Sequence, residues 1–317
     1  MKIKAHEIHY VSMGTPCPFL LLDDHKEIKY KESIFPGGEV YIKLLSPVKM
    51  TTPTESHILI CASITSSDSL MNVIMMTDAL RRAGANKVSL FMPYVPYARQ
   101  DRVCNPGESH SMRVFANLIN AQNYFEVIVF DPHSDVTSAT INDLVIIDNH
   151  MFVRIALSGI TYKMDPPIPF DEFVMVSPDA GALKKMTGLV KYLMSCGSPI
   201  TELVQADKLR NLETGEIIKT VVHATDLNGA DCVIVDDICD GGRTFIELSK
   251  VLKQKNAGRI ALIVSHGIFS KGLQALIPYI DYLVYSDSFR HFMPLDNERD
   301  RYHDKIKHTM LPLLDVR

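Results

Sequence analysis

Short runs of β-branched and apolar residues recur along this chain, each followed by a stretch whose apolar residues fall at helical spacing. That alternation leaves few folds open. Residues 57–62 (HILICA) read as a buried strand, and residues 68–83 then carry Leu70, Val73, Ile74, Thr77 and Leu80 on one helical face. Ser67 or Asp68 suits the helix N-cap, and Gly84 suits its end. Residues 87–92 form the next expected strand. A loop runs to about Gly107, a helix follows with Met112, Phe115, Ala116 and Ile119 inward, and residues 125–130 return to strand. The second half repeats the rhythm, with strands at 173–177, 203–206, 232–235 and 260–265 and helices at 181–196, 244–256 and 271–277. Alternating β and α segments imply mainly parallel sheets with helices on both faces.

At roughly 100–200 residues per domain, the 317 residues suggest two domains. An internal echo supports a tandem pair: residues 125–140 (FEVIVFDPHSDVTSAT) and 231–245 (DCVIVDDICDGGRTF) each place an acidic, hydroxyl-rich loop after a β-branched strand. The proline-rich residues 164–169 (MDPPIP) mark a boundary, giving an expected first domain over 1–160 and a second over 161–295. A net charge of −4 provides no overall basic field for nucleic acid or an anionic membrane, so phosphate chemistry must rest on local groups. The six cysteines, Cys17, Cys61, Cys104, Cys196, Cys232 and Cys239, show no C-x-x-C pairing and read as reduced thiols. The first ten residues lack a signal-peptide core, and no apolar run approaches the ~20 residues of a membrane helix. The expectation is a cytoplasmic protein.

The string V-I-V-D-D-I-C-D-G-G-R-T at residues 233–244 carries the most chemistry. A hydrophobic strand ends in two carboxylates, a small-residue loop follows, and a helix begins. In an open parallel sheet, ligands bind outside the carboxyl ends of the strands. Gly241 and Gly242 let backbone N–H groups approach a phosphate, with the helix dipole assisting, while Asp236 and Asp237 can accept hydrogen bonds from a ribose diol.

This string resembles the ribose 5-phosphate loop of type I phosphoribosyltransferases and PRPP synthetases. Further segments favour the synthetases. Residues 93–102 (PYVPYARQDR) are similar to their ATP-side segment, and residues 174–181 (VMVSPDAG) resemble their S-P-D-x-G turn. Residues 207–210 (DKLR) resemble the base of their catalytic flexible loop, and residues 35–39 (FPGGE) echo their F-x-D-G-E. The resemblance implies two tandem phosphoribosyltransferase-type (type I) α/β domains with the active site between them, and residues 296–317 returning to the first. It implies a homo-oligomer with shared active sites and an ATP-dependent diphosphokinase acting with Mg²⁺ on a 5-phosphorylated ribose. Residue by residue, it implies that Asp236 and Asp237 hold the ribose hydroxyls, partly through Mg²⁺. Asp240, Gly241, Gly242, Arg243 and Thr244 would grip the 5-phosphate. Arg99, Gln100 and Asp101 would meet ATP, and Phe35 and Glu39 would meet adenine from a neighbouring subunit. His133 and Asp179 would help place the Mg²⁺ bound to ATP, and Lys208 and Arg210 would close over the reaction.

These residue types suit the chemistry. Several negative charges converge as the sugar O1 attacks the β-phosphorus and AMP leaves, and metal ions and fixed cations stabilise that arrangement. Lys208 and Arg210, two apart on an extended segment, would point the same way, and residues 211–216 (NLETGE) suit a lid. Oxygen-rich Mg²⁺ sites seldom use histidine, so His133 could instead bind nucleotide phosphates, with Asp131 and Asp135 as alternative metal contacts and His266 as supporting structure.

Three positions depart from the family pattern. Gly37 stands where an adenine-side aspartate is usual, and Arg243 where a small residue is usual. Residues 308–314 (HTMLPLL) lack the ending tied to phosphate activation, which implies weak or absent regulation of that kind. An extra guanidinium could grip ribose 5-phosphate harder or serve a larger 5-substituent such as the diphosphate of ADP-ribose. Relatives that pyrophosphorylate ADP-ribose for NAD rebuilding make that acceptor the alternative. A non-catalytic regulatory relative is a third reading, opposed by the presence of Lys208, Arg210, His133, Asp179, Asp236 and Asp237. A plain phosphoribosyltransferase would leave residues 93–102 without a role.

Overall fold

The computed structural model describes residues 9–17, 26–45, 57–163, 173–198, 200–210, 217–289 and 307–311. The chain divides into two compact units: Met1–Asp148 with Ser288–His291, and Asn149–Asp287 with Phe292–Arg317.

In chain order the first unit contains β1 (His9–Met13), β2 (Lys26–Glu27), β3 (Tyr30–Ile34), β4 (Val40–Leu44), β5 (His57–Ala62), α1 (Ser67–Arg82), β6 (Lys87–Phe91), α2 (Ser111–Asn120), β7 (Val127–Phe130), α3 (Asp135–Thr140) and β8 (Leu144–Ile147). Its sheet runs β2-β1-β5-β6-β7-β8 with parallel pairing throughout. All the carboxyl ends therefore open on one edge. The central strands read as unbroken apolar runs because both of their faces are covered. Ile58, Ile60, Leu90 and Val129 pack with Val73, Met76 and Leu80 of α1 and with Phe115 and Ile119 of α2. The cap of α1 is Ser66, one residue before the expected candidates. Its side chain accepts from the Ser69 N–H while the Ser69 hydroxyl accepts from the Ser66 N–H, a reciprocal box that Ser67 and Asp68 could not make. β3 and β4 form a separate two-stranded antiparallel ribbon.

The second unit contains α4 (His150–Lys163), β9 (Phe173–Ser177), α5 (Leu183–Ser195), β10 (Ile200–Arg210), β11 (Ile217–Val222), β12 (Asp231–Cys239), α6 (Arg243–Gln254), β13 (Ile260–Gly267), β14 (Tyr282–Ser286) and β15 (Lys307–Leu311). Its sheet order is β11-β10-β9-β12-β13-β14-β15, parallel except for the β10–β11 hairpin. Ile234, Val264 and Leu283 meet Phe245, Leu248 and Leu252 of α6 in a second core.

Several boundaries differ from the sequence reading. The division falls after Asp148, not near residue 160, because β8 ends the first sheet and α4 packs on α5 and the second sheet. The proline-rich residues 164–169 lie outside the described residues. Residues 307–311 join the second sheet rather than the first unit: β15 pairs in register with β14, covering what would be an exposed edge. Residues 271–277 hold only a 3₁₀ turn, Leu273–Ala275, entered through Gly272 at φ +70°.

Candidate active site

In the second unit the parallel strands β9, β10, β12 and β13 bring four sequence motifs to one sheet edge. β12 continues through Cys239, because Ile238 and Cys239 still pair with His266 and Gly267 of β13. Asp236 and Asp237 thus lie within the strand rather than at its end, and their backbone positions are fixed by the sheet. The Asp237 N–H donates to Asp236 Oδ1 at 2.9 Å, orienting that carboxylate. His266 is buried on the neighbouring strand, in keeping with a supporting role.

The turn after β12 is compact. Gly242 takes φ +74°, ψ −6°, a left-handed conformation, and caps α6 with its carbonyl, which accepts from the Phe245 and Ile246 N–H groups at 3.0 and 3.1 Å. A Cβ on Gly242 would lie 3.0 Å from Leu276 Cδ2, and one on Gly241 would lie 3.6 Å from Cδ and Cε of Lys271. Gly242 is therefore required by its backbone conformation and its close neighbour, whereas a Cβ at Gly241 would meet the Lys271 stem at ordinary contact distance. Arg243 begins α6 and is exposed, whereas Thr244 is half-buried. Beneath the turn, the buried Cys239 thiol is pushed up by burial and then by the charges of Asp236 and Asp240, so it stays protonated under the loop. The arrangement is a rigid, glycine-lined turn opening on a helix start, with carboxylates on the strand beside it. It can bind an anion through backbone N–H groups while its carboxylates accept from sugar hydroxyls.

Asp179 sits one strand away, after β9. Its Oδ1 accepts from the Ala182 N–H at 2.9 Å, and the Ser177 hydroxyl donates to the Asp179 carbonyl at 2.9 Å, which fixes the S-P-D-A-G turn. Lys208 and Arg210 lie on β10, opposite β11: Lys208 pairs with Thr220 and Arg210 with Ile217. The pairing register shifts between Leu209 and Arg210. At the base of this hairpin, Asp207 Oδ2 lies 2.6 Å from His223 Nε2, and Asp207 Oδ1 accepts from Gln205 at 3.0 Å. These hydrogen bonds, the one to His223 foremost, hold the Asp207 carboxyl below its usual range. Residues 211–216, expected to form a lid, lie outside the described residues.

The remaining expected residues belong to the first unit. Residues 93–102 follow β6 as a loop pinned at several points. The Phe130 N–H donates to the Pro93 carbonyl, Tyr97 adopts φ +62°, and the Met112 N–H of α2 donates to the Gln100 carbonyl at 3.2 Å. His110 Nε2 meets the Asp101 carbonyl at 2.9 Å, and Asp101 pairs with Arg102 at 3.4 Å. Arg99 and Gln100 are exposed along this loop. His133 is exposed after β7, next to the buried Asp131, whose φ of +37° turns the chain. Phe35 and Glu39 lie at the tip of the β3–β4 ribbon. Phe35 is 53 % exposed and meets the Tyr41 ring edge-on at 5.5 Å. A Cβ on Gly37 would lie 2.6 Å from Glu39 Oε2, so the departure from aspartate leaves room for Glu39 to fold over the turn.

Among the described residues, no three His, Cys, Asp or Glu side chains gather closely enough to hold a metal ion by themselves. His133 and Asp179 belong to different units. One carboxylate in a fixed turn suits Mg²⁺, which keeps several waters and takes the rest of its ligands from substrate phosphates. Among the described residues, no helix is long and apolar enough to cross a membrane.

A doubly built α/β chain with a glycine-lined anion turn after an acidic strand defines a phosphoribosyltransferase-type protein, and comparison with known proteins narrows the class. Residues 24–122 match the N-terminal domain of ribose phosphate pyrophosphokinase, and residues 146–287 match the phosphoribosyl transferase domain. A ribose-phosphate pyrophosphokinase of Chromobacterium violaceum is 30% identical over 239 residues, covering 74% of this chain and 67% of that protein. One from Thermosipho africanus is 28% identical over 264 residues, covering 81% and 77%. The crystal structure of phosphoribosylpyrophosphate synthetase from Mycobacterium smegmatis shares the fold with a TM-score of 0.74 at 19% identity, covering 97% of this chain and 95% of that one. The chain belongs to the ribose-phosphate pyrophosphokinase family and is a transferase.

Proposed function

We propose that this enzyme transfers the β,γ-diphosphate of ATP to the C1 hydroxyl of ribose 5-phosphate, giving PRPP and AMP. The observation that carries the reading is the turn after β12, where Gly242 at φ +74° opens the start of α6 beside Asp236 and Asp237. In this reading Asp240, Gly241, Gly242, Arg243 and Thr244 hold the 5-phosphate, and Asp236 and Asp237 accept from the ribose hydroxyls. Arg99, Gln100 and Asp101 meet ATP, Phe35 and Glu39 meet its adenine, and Lys208 and Arg210 meet the transferring diphosphate. The sugar O1 forms a bond to the β-phosphorus as the bond to the α,β-bridging oxygen breaks. That oxygen leaves with AMP, and the hydroxyl proton is released. Mg²⁺, positioned with help from Asp179 and His133, would neutralise the converging phosphate charge. The exposed ribbon tip, with Ile34 60 % and Phe35 53 % exposed, supports a homo-oligomer in which this tip meets a neighbouring copy's nucleotide.

One feature favours a second acceptor. Arg243, exposed at the first residue of α6, offers a planar cation beyond the backbone cradle, which suits the diphosphate of ADP-ribose and a role in rebuilding NAD. Steady-state AMP release from Mg²⁺ and ATP, compared between ribose 5-phosphate and ADP-ribose, tests the assignment. Higher catalytic efficiency with ribose 5-phosphate is expected. A large preference for ADP-ribose would replace the acceptor, and no AMP release with either would overturn the diphosphate transfer.

A further inference from the structure

The segment after β13 is built against the phosphate turn. The Ile268 and Phe269 N–H groups both donate to the Cys239 carbonyl, at 2.9 and 3.1 Å, immediately before the turn begins. Phe269 is buried edge-on against Tyr285, with ring centroids 5.0 Å apart. The Gly272 N–H closes the segment by donating to the Phe269 carbonyl at 2.8 Å, and Gly272 takes φ +70°. Further along, Leu276 packs against Gly242. Residues 268–276 are therefore a platform tied to both ends of the turn. Lys271 is the cation this platform carries. Its Cδ and Cε both lie 3.6 Å from the point where a Cβ of Gly241 would stand, so its ammonium, one bond beyond Cε, is delivered to the rim of the turn. Among the described residues, that ammonium has no carboxylate within ion-pair distance.

The local charge balance gives such a cation a purpose. Asp236, Asp237 and Asp240 place three carboxylates within the nine residues 236–244, where only Arg243 is basic. A phosphate dianion entering beside those carboxylates gains from each cation placed at the rim of the turn. We infer that Lys271 is a binding residue for the acceptor's phosphate, a second side-chain cation that joins Arg243 at the rim of the turn and sets selectivity for a phosphorylated sugar over a neutral one. The inference rests on the acceptor site proposed above. A lysine suits the role because it acts as a mobile point charge on a long stem, and the stem here passes beside Gly241.

The test is calorimetric binding of ribose 5-phosphate to the full-length enzyme, wild type against Lys271→Met and Lys271→Arg, with steady-state constants measured alongside. Removing an exposed charge from a phosphate contact should weaken binding by about three- to tenfold at low ionic strength, with a shallower salt dependence. The arginine variant should recover most of the affinity. The rise in KM should be confined to the sugar, with KM for ATP unmoved. Under a purely structural role, the salt dependence of binding would be the same in Lys271→Met as in wild type, and arginine would not restore the affinity. A methionine variant that binds ribose 5-phosphate as tightly as wild type, with the same salt dependence, overturns the role of Lys271 and leaves the acceptor site standing. A wild-type enzyme that binds neither ribose 5-phosphate nor ADP-ribose overturns the acceptor site and this assignment together.

Discussion

The glycine turn after β12 in the second unit and the β3–β4 ribbon of the first are built by opposite means. The turn is made from backbone: Gly242 is buried at φ +74°, Leu276 fills the space beside it, and the strand feeding it is paired through Cys239. The ribbon is made from side chains. Tyr30, Ile42 and Leu44 anchor its base to the first core, while Ile34, Phe35 and Tyr41 project at its tip. A site formed by backbone cannot be altered without disturbing the fold that positions it, because the same peptide groups do both jobs. A site formed by exposed side chains on an anchored ribbon can lose its ligand and keep its structure. The β10–β11 hairpin is likewise anchored at its base, which is tied by Asp207 and His223, and its pairing runs on to Arg210 and Ile217.

Three substitutions would break or sharpen this contrast. The largest effect is expected from Lys208→Ala on the hairpin. Turnover should fall on the order of a hundred- to a thousand-fold, as for the loss of one group stabilising transition-state charge, with an unchanged melting temperature. Single-turnover AMP release and calorimetric melting read the two quantities, and a parallel loss of stability would move this hairpin into the backbone-built class. Gly242→Val should come next and should fail on both counts. A left-handed conformation costs a side-chain-bearing residue about 1–2 kcal/mol, and the added atoms must also displace Leu276. Denaturant unfolding should show a lower midpoint, and sugar-phosphate binding should weaken with it. Weakened binding at full stability would show that the turn's geometry is not integral to the fold. The smallest effect is expected from Phe35→Ala. KM for ATP should rise roughly tenfold, in line with about 1–3 kcal/mol for stacking of a base on an aromatic ring, while the melting temperature and KM for the sugar stay put. A drop in stability would mean that the ring is more than a ligand contact.

The parallel strands were legible because their buried runs are long and β-branched: residues 57–62 and 173–177 match β5 and β9 residue for residue. The glycine turn into α6 was legible for a related reason, since D-D-I-C-D-G-G-R-T combines chemically distinct residues at fixed offsets. What escaped was set by partners distant in sequence. β15 exists because β14 offers it an edge, and the two are separated by a segment with no strand pattern of its own. The extent of β12 escaped because the strand pattern ends at Asp236 and Asp237, yet β13 supplies pairing partners as far as Cys239. The approach of Lys271 to Gly241 escaped because the two lie thirty residues apart and nothing in F-S-K-G marks it.

Local pattern alone therefore determined that this chain alternates strands and helices, that an acidic strand runs into a glycine turn, and that the chemistry concerns phosphate. Those properties depend on neighbours a few residues apart, and periodicity and side-chain type record them directly. Tertiary structure alone decided where the chain divides, which strand closes the second sheet, how far the acidic strand stays paired, and which lysine stands at the turn. Those properties depend on groups that meet only after the sheets assemble, and their hydrogen bonds and contacts leave no periodic trace in the order of the residues.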